Sequence, residues 1–423
     1  MDTIFSPASL TGSAQAPASK SEAHRRLLCA GLTRGTSVLT GFMHSEDTAA
    51  TLRCVKALGA AVRQEGDVLT VTGGASRPAL MPVYDCGESG STLRFFVPIA
   101  LALTHGGVFR MHGRLGRRPM DIYRELFVPR GVLWRMGEGA DGTAELTVAG
   151  GLEAGSYVLP GNVSSQFVSG LLFALPLLPG LSGLTVTPPV ESAGYIAMTV
   201  QALRDSGIRL EQTGDASWKI PGSQQYAAVS TPIHGDWSQA AVLLCAGALG
   251  GDVTVTGLQP DSLQGDRAVL RHLKALGAQV EETPGAVRVR GGSLKGAVLD
   301  MRDTPDIAPM LALVCQLAQG ESRLTGCGRL RIKESDRLEE TVRLLNCMGG
   351  NAEIVGEDLV LQGVPTLKGG MTLPATGDHR MVMLASLAAL RADAPVTVPG
   401  AEALTKSWPD YLAVYRALGG KAQ

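Results

Sequence analysis

Hydrophobic and polar positions along the chain follow a phrase that keeps returning: an amphipathic stretch with helical spacing, a glycine, an alternating run, a turn and a second alternating run. It reads LRCVKALGAAVRQEGDVLTVTGG from Leu52, VQALRDSGIRLEQTGDASWKIPG from Val200, LRHLKALGAQVEETPGAVRVRGG from Leu270 and TVRLLNCMGGNAEIVGEDLVLQGV from Thr341, with weaker copies around Gly131 and Gly419. Each glycine suits the left-handed position that closes a helix. The period of two that follows, Val68 and Thr70 against Leu69 and Val71, predicts a half-buried hairpin. The glycines at 59, 131, 207, 277, 349 and 419 are spaced by 72, 76, 70, 72 and 70 residues, so six units of about seventy residues are expected.

A second element alternates with the first: a polar start, an apolar helix, a glycine and a β-rich run. It appears as SKSEAHRRLLCAGLTRGTSVLTGF, SGSTLRFFVPIALALTHGGVFRMHG and SSQFVSGLLFALPLLPGLSGLTVTP, and again from Asp236, Thr304 and Gly377. The stretches Phe167 to Leu178, Ala308 to Ala318 and Met381 to Leu390 are apolar nearly all round, which predicts helices buried on every side. Units this short cannot bury a face alone, and a solenoid stack would leave one polar side on each helix. The pattern therefore predicts an α/β protein of two closed domains, three units each, with helices inside and sheets outside. The crossings fall near Ser19 to Ser21 and Thr231 to Asp236. That gives one domain over 20–233 and a second over 1–19 plus 234–423.

Composition narrows the function. At 423 residues one ordinary core is too small, and 45% hydrophobic against 18% charged residues excludes disorder as the main state. Lys+Arg at 38 against Asp+Glu at 39 lacks the basic surplus of a nucleic-acid binder. Seven scattered cysteines, with no C-x-x-C pair and no histidine cluster at ligand spacing, suggest reduced thiols in a cytoplasm and no metal. The stretch from Met1 to Pro17 lacks a signal-peptide pattern, and no apolar run approaches the roughly 18 residues of a membrane span.

Candidate chemistry collects at the starts of the interior helices, where free N–H groups and the helix dipole favour anions. Those starts carry Lys20, Ser21 and Arg25; Ser89, Gly90, Ser91 and Arg94; Ser164, Ser165 and Gln166; Asp236 and Ser238; Asp306; and Asp378, His379 and Arg380. Simple N-capping accounts for each serine and aspartate. It does not account for Lys20, Arg25, Arg94 and Arg380, because a cation at a positive helix end stands against the dipole unless an anion joins it. Two dense charge runs, HGRLGRRPMD from His112 and RIKESDRLEE from Arg331, read by themselves as solvated faces. In the second, the spacing puts Lys333, Glu334 and Arg337 on one side of an opening helix.

Six segments in order resemble those of the 5-enolpyruvylshikimate-3-phosphate synthase family of enolpyruvyl transferases, along essentially the whole chain. SKSEAHR looks like the family's S-K-S-x-x-x-R, CGESGSTLRF its C-G-N-S-G-T-x-x-R, SSQF its S-S-Q, RIKESDR its R-x-K-E-S/T-D-R, GDHRM its D-H-R-M, and LTKSWPDY its T-K-S/T-F/W-P-D-Y. The resemblance implies an inverse α/β barrel-like fold of six βαβαββ units, three in each of two domains, with the active site in the cleft between them. It implies that Lys20, Ser21, Arg25, Ser164, Ser165, Gln166, Ser192, Tyr195, Asp306 and Lys333 hold shikimate 3-phosphate. Lys20, Gly90, Arg118, Gln166, Arg337, Arg380 and Lys406 would hold phosphoenolpyruvate.

Two substrates with two phosphates and two carboxylates account for the excess of cations. Glu334 is the expected acid at the methylene carbon, Asp306 the base for the attacking hydroxyl, and Lys20 the assistant to phosphate departure. No cofactor or metal, no nucleic acid, no membrane and a monomeric cytoplasmic enzyme are expected. Glu88 departs from the family's asparagine, and Arg329 from the asparagine of some members. Gly90-Ser91 matches the G-T of inhibitor-sensitive members in part, so glyphosate is expected to compete with phosphoenolpyruvate. The sister family that acts on UDP-N-acetylglucosamine carries a loop cysteine where this chain has Gly113. A non-catalytic anion-binding homologue is the alternative from another class.

Overall fold

The computed structural model describes residues 2–74 and 81–423. Contacts divide the chain into two compact units, Ala18–Ile233 and, from both ends of the chain, Met1–Pro17 with His234–Gln423. They are called here the first and second unit.

Among the described residues each unit builds three four-stranded sheets to one plan. In one of them Val83–Asp85 runs parallel to Gly106–Met111, which pairs antiparallel with Ala144–Ala149, itself antiparallel to Leu133–Glu138. A parallel pair needs a crossover and an antiparallel pair only a turn. The first helix of each repeat makes the crossover, and the hairpin closes the sheet after the second. Strands distant in sequence complete other sheets. Ser230–Pro232 lies parallel to Thr36–Thr40 in the first unit, and Thr11–Gln15 parallel to Asp252–Thr256 in the second.

The first unit carries α1 (Lys20–Leu32), α2 (Glu46–Ala57), α3 (Gly90–Leu103), α4 (Asp121–Phe127), α5 (Ser165–Ala174) and α6 (Ala193–Asp205). The second carries α7 (Trp237–Ala248), α8 (Val269–Ala275), α9 (Ala308–Gln316), α10 (Arg337–Cys347), α11 (His379–Leu390) and α12 (Tyr411–Ala417). Every residue of α7, α9 and α11 is buried, as their all-round apolar sequence requires. By contrast α10 buries only Arg337, Leu338, Thr341, Leu344 and Leu345, one stripe at helical spacing. The six repeat-closing glycines all take the left-handed conformation, with φ of 97, 84, 77, 92, 79 and 96° in chain order.

Three helix boundaries differ from the periodicity. Helix α5 stops at Ala174 and tightens into a 3₁₀ turn over Leu175–Leu177, because Pro176 has no N–H to continue the ladder. Helix α9 ends at Gln316 rather than Ala318. Helix α10 starts only at Arg337, capped by Asp336, whose side chain accepts from the Glu339 N–H at 3.1 Å. Lys333 and Glu334 therefore lie in the connection before the helix, and helical spacing is not what brings them to Arg337.

Candidate active site

In the first unit the site begins at the start of α1. Ser19 Oγ accepts from the Glu22 N–H at 3.3 Å, which fixes Lys20 as the first helical residue. Lys20 Nζ lies 2.8 Å from Oδ2 of Asp47, an acid in the first turn of α2. One turn on, the buried Arg25 guanidinium donates to Ser21 O at 2.7 Å, Thr199 Oγ1 at 2.8 Å and Tyr195 O at 2.9 Å. It also rests 5.4 Å from the Phe95 ring centre and 5.8 Å from that of Tyr195. Burial draws the Arg25 pKa down to about 10, so it stays cationic at neutral pH.

The starts of α3 and α5 meet through Gln166. Its Oε1 accepts from Arg94 at 2.7 Å, and its Nε2 donates to Ser91 Oγ at 2.9 Å. Ser164 caps α5 by accepting from the Gln166 N–H at 3.3 Å, and Ser165 is buried behind it. The two helices approach closely because residue 170 is glycine: a Cβ there would stand 2.3 Å from Arg94 O and 2.3 Å from the Tyr123 hydroxyl. Arg118 follows the 3₁₀ turn Leu115–Arg117, and its guanidinium lies against Gly90, where a Cβ would come within 2.6 Å of Nη1. Ser192, buried just before α6, holds a left-handed φ of 54°, a strained conformation for serine.

In the second unit the site is a charge cluster around Arg337. This guanidinium, 2% exposed, donates to Asp306 Oδ1, Glu334 Oε2 and Asp378 Oδ2, each at 2.8 Å. Lys333 Nζ adds a contact to Asp306 Oδ1 at 3.0 Å. Asp378 further accepts from Ser335 Oγ and from the Arg380 N–H, both at 2.9 Å. Arg380 donates to the Ser238 carbonyl at 2.9 Å and to the Ser238 hydroxyl. Lys406 is buried at the end of the 3₁₀ turn Ala401–Lys406, which packs on α11.

The electrostatics follow from these pairings. Burial opposes ionisation of Asp306, but Lys333, Arg337 and Arg380 outweigh it and hold the carboxyl far below the usual carboxylate range, with Glu334 pulling the other way. Asp378 is also buried, and chiefly Arg337 brings it down to about 2. Burial lowers the pKa of Lys333, while its carboxylate neighbours raise that of Arg337.

The structure thus joins Lys20, Ser21, Arg25 and Tyr195 around α1 and α6, and Gln166, Ser164, Ser165, Gly90 and Arg118 around α3 and α5. In the second unit it joins Asp306, Lys333, Glu334, Arg337 and Arg380. Capping accounts for Ser89, Ser164, Asp236 and Asp378, whose side chains each accept a backbone N–H at a helix start. The cations divide in two. Lys20 and Arg337 are held by carboxylates, whereas every side-chain hydrogen bond from Arg25 or Arg380 among the described residues ends on a neutral oxygen.

Asp47 and Thr199 were not singled out by the sequence. The first reads as an ordinary first-turn acid and the second as one more residue on an amphipathic helix. Among the described residues no group of three or more His, Cys, Asp or Glu is placed to hold a metal ion, and no helix is long and apolar enough to cross a membrane.

Each α/β unit sets buried cations at the starts of inner helices, Arg25 and Arg94 in the first and Arg380 in the second. Over residues 4–414 the chain matches the family described as EPSP synthase (3-phosphoshikimate 1-carboxyvinyltransferase), and it belongs to that family. It is 36% identical over 417 residues to the 3-phosphoshikimate 1-carboxyvinyltransferase of Clostridium kluyveri, covering 99% of this chain and 97% of that one. Identity is 37% over 419 residues to the protein of the same name from Clostridium perfringens, covering 99% and 98%. The solved EPSP synthase of Acinetobacter baumannii superposes with a TM-score of 0.81 at 25% identity, over 100% of this chain and 99% of that one.

Proposed function

We propose that this chain transfers the enolpyruvyl group of phosphoenolpyruvate to the 5-hydroxyl of shikimate 3-phosphate and releases phosphate, a step toward chorismate and the aromatic amino acids. The observation that carries this reading is that the buried guanidiniums of Arg25 and Arg380 hydrogen-bond to neutral oxygens, with Asp306 only in the wider field of Arg380. A buried cation without a bonded counterion is costly, and a phosphate or carboxylate group restores the balance. The names and full-length match of the curated relatives supply the identity of the polyanions.

In this reading Ser21, Arg25, Ser164, Ser165, Gln166, Ser192, Tyr195, Asp306 and Lys333 hold shikimate 3-phosphate. Lys20, Gly90, Arg118, Gln166, Arg337, Arg380 and Lys406 hold phosphoenolpyruvate. Glu334 gives a proton to the methylene carbon while the 5-hydroxyl oxygen bonds to the adjacent carbon and loses its proton to Asp306. The tetrahedral adduct then expels phosphate, assisted by Lys20, as a methyl proton returns to Glu334 and the double bond re-forms. While held by Lys333 and Arg337, Asp306 is a poor proton acceptor. It becomes competent when the substrate takes over one of those cations.

The active site of this reading draws on both units, with 20–233 and 1–19 plus 234–423 as the domains, so the substrates must recruit the two sets together. The enzyme acts as a monomer in the cytoplasm. The thiol forms of all seven cysteines, six of them buried, support that compartment. Phosphate release with phosphoenolpyruvate and shikimate 3-phosphate, compared with UDP-N-acetylglucosamine as acceptor, tests the reading. Release with the sugar nucleotide alone overturns it, and release with neither favours a binding protein.

A further inference from the structure

Beneath the turn of the first unit assigned above to an anion runs a line of polar side chains that ends on the α3 cap, Ser89, and whose other three members have been given no role. His24 Nδ1 lies 2.7 Å from Thr51 Oγ1, Thr51 Oγ1 lies 2.7 Å from Thr92 Oγ1, and Thr92 Oγ1 donates to Ser89 Oγ at 2.8 Å. The four residues come from α1, α2, α3 and the cap of α3, and none is more than 1% exposed. Hydrogens can be counted along the line, since each hydroxyl has one to give. Thr92 spends its hydrogen on Ser89, so Thr51 must donate to Thr92. Thr51 is then spent, so His24 must donate from Nδ1. His24 is therefore the neutral Nδ1–H tautomer, which agrees with an Nε2 that has no hydrogen-bond partner and with a pKa that burial lowers to about 3.

At the far end Ser89 Oγ receives two hydrogens, from Thr92 Oγ1 and from the Thr92 N–H at 3.2 Å. Both of its acceptor sites are filled, and the turn that follows, Gly90-Ser91, is fixed relative to α1. The chain of donors runs one way, from a side chain four residues beyond Lys20 to the residue before Gly90.

We infer that His24, Thr51 and Thr92 are positioning residues: their one-way donor chain sets the Ser89-Gly90-Ser91 turn in register with the start of α1, and so shapes the anion-binding turn assigned above to phosphoenolpyruvate. The inference rests on the proposed function for the identity of that anion and on the hydrogen bonds alone for the chain itself. Arg25, on the same helix, is anchored separately by Thr199 and Tyr195. Loss of the chain therefore disturbs the Gly90 turn and leaves the Arg25 contacts in place.

Two measurements on the full chain test it. Nitrogen-15 spectra at neutral pH, with the His24 signals assigned by their loss in His24→Asn, should show a protonated Nδ1 and a bare Nε2. The opposite tautomer overturns the chain, whatever reaction the protein catalyses. Steady-state kinetics on Thr51→Val and Thr92→Val should show KM for phosphoenolpyruvate raised about five- to tenfold, with kcat and the KM for shikimate 3-phosphate within about twofold of wild type. Thr51→Ser, which keeps the hydroxyl, should restore the wild-type value even if a valine variant folds poorly. A wild type that turns over normally, with the serine and valine variants alike, sinks the positioning role. A wild type silent toward both substrates instead sinks the functional reading, and the tautomer measurement still decides the chain.

Discussion

Asp378 Oδ2 accepts from Arg337 Nε at 2.8 Å in a place where the two side chains are 0% and 2% exposed. The same carboxylate takes Arg337 Nη2 at 3.2 Å, so the guanidinium is gripped by two of its nitrogens. Buried pairs of this kind contribute little net stability compared with an apolar pair, but removing one partner strands the other. The pair therefore holds Arg337 in one orientation, and the two nitrogens reaching Asp306 and Glu334 follow from it.

The Arg337–Asp378 pair makes stability acid-sensitive. Asp378 is held at about 2 against an ordinary 3.8. A carboxylate whose pKa is lowered by folding stabilises the native state above its unfolded pKa and loses that contribution as pH falls through the folded one. Urea midpoints should thus be level above about pH 4 on this account and fall between about pH 4 and pH 2. Asp378→Asn should cost about 3–5 kcal/mol at neutral pH and flatten that fall, with Asp306 supplying a remaining slope. A variant whose midpoints decline in parallel with wild type would show that this pair does not set the acid limit.

The contact between Gly90 and Arg118 makes a second prediction. A methyl group at residue 90 would stand 2.6 Å from Arg118 Nη1, so Gly90→Ala must push the guanidinium aside. Arg118 sits at the end of a flexible side chain, and the fold should survive with a change in Tm of only a few degrees. KM for phosphoenolpyruvate should rise about tenfold or more, because the guanidinium proposed to hold that anion is displaced. Arg118→Lys should mimic the effect. Competition by glyphosate against phosphoenolpyruvate should weaken in the same two variants, and an unaltered KM in Gly90→Ala would remove Arg118 from the site.

Asp306 constrains the pH profile. Lys333 and Arg337 keep its carboxyl ionised throughout the ordinary working range, despite burial. The profile of kcat/KM reports ionisations of the free enzyme and substrates. Asp306 should therefore contribute no acid limb between about pH 5 and pH 8. Asp306→Asn should lower kcat by about a hundredfold or more while leaving the positions of the limbs unmoved. A limb in that window that vanishes in Asp306→Asn would show that the pairing is absent in the working enzyme.

Much of this was legible in the sequence for a physical reason: a helix that must be buried all round, or closed by a left-handed residue, can be made from few residue types. Gly59, Gly207 and Gly277 announced their helix ends, and the apolar stretches of α5, α9 and α11 their place inside. Family membership was legible because six short motifs kept their order. What stayed hidden depends on contacts between residues far apart in the chain. Asp47 reaches Lys20 across 27 residues, and Thr199 reaches Arg25 across 174. Lys333 and Glu334 looked like helix neighbours of Arg337, but charge pairing across a loop, not helical spacing, brings them together.

If substrates must recruit residues from both units, adding them should draw the chain together. Small-angle scattering should show a smaller radius of gyration with shikimate 3-phosphate present, and a further decrease once an unreactive analogue of phosphoenolpyruvate is added. Arg25→Ala should abolish the first change. An unchanged radius with both ligands bound, as judged by calorimetry, would mean that the two sets do not act on the same molecules.

Gly113 offers the sharpest separation from the sister family, which carries cysteine in that place. Its φ is +53°, and a Cβ would stand 1.8 Å from Glu88 Oε1. Two costs are therefore stacked on any side chain there: left-handed backbone, about 1–2 kcal/mol, and displacement of the Glu88 carboxyl. The first is independent of Glu88 and the second is not. Gly113→Ala should destabilise wild type by more than it destabilises a Glu88→Ala background, with a coupling above about 0.5 kcal/mol in urea unfolding. Gly113→Cys should bring no activity toward UDP-N-acetylglucosamine, since the new thiol would have to take the space that Glu88 fills. Equal costs in the two backgrounds would show that Glu88 leaves Gly113 in solution and that the exchange of asparagine for glutamate has no bearing on this loop.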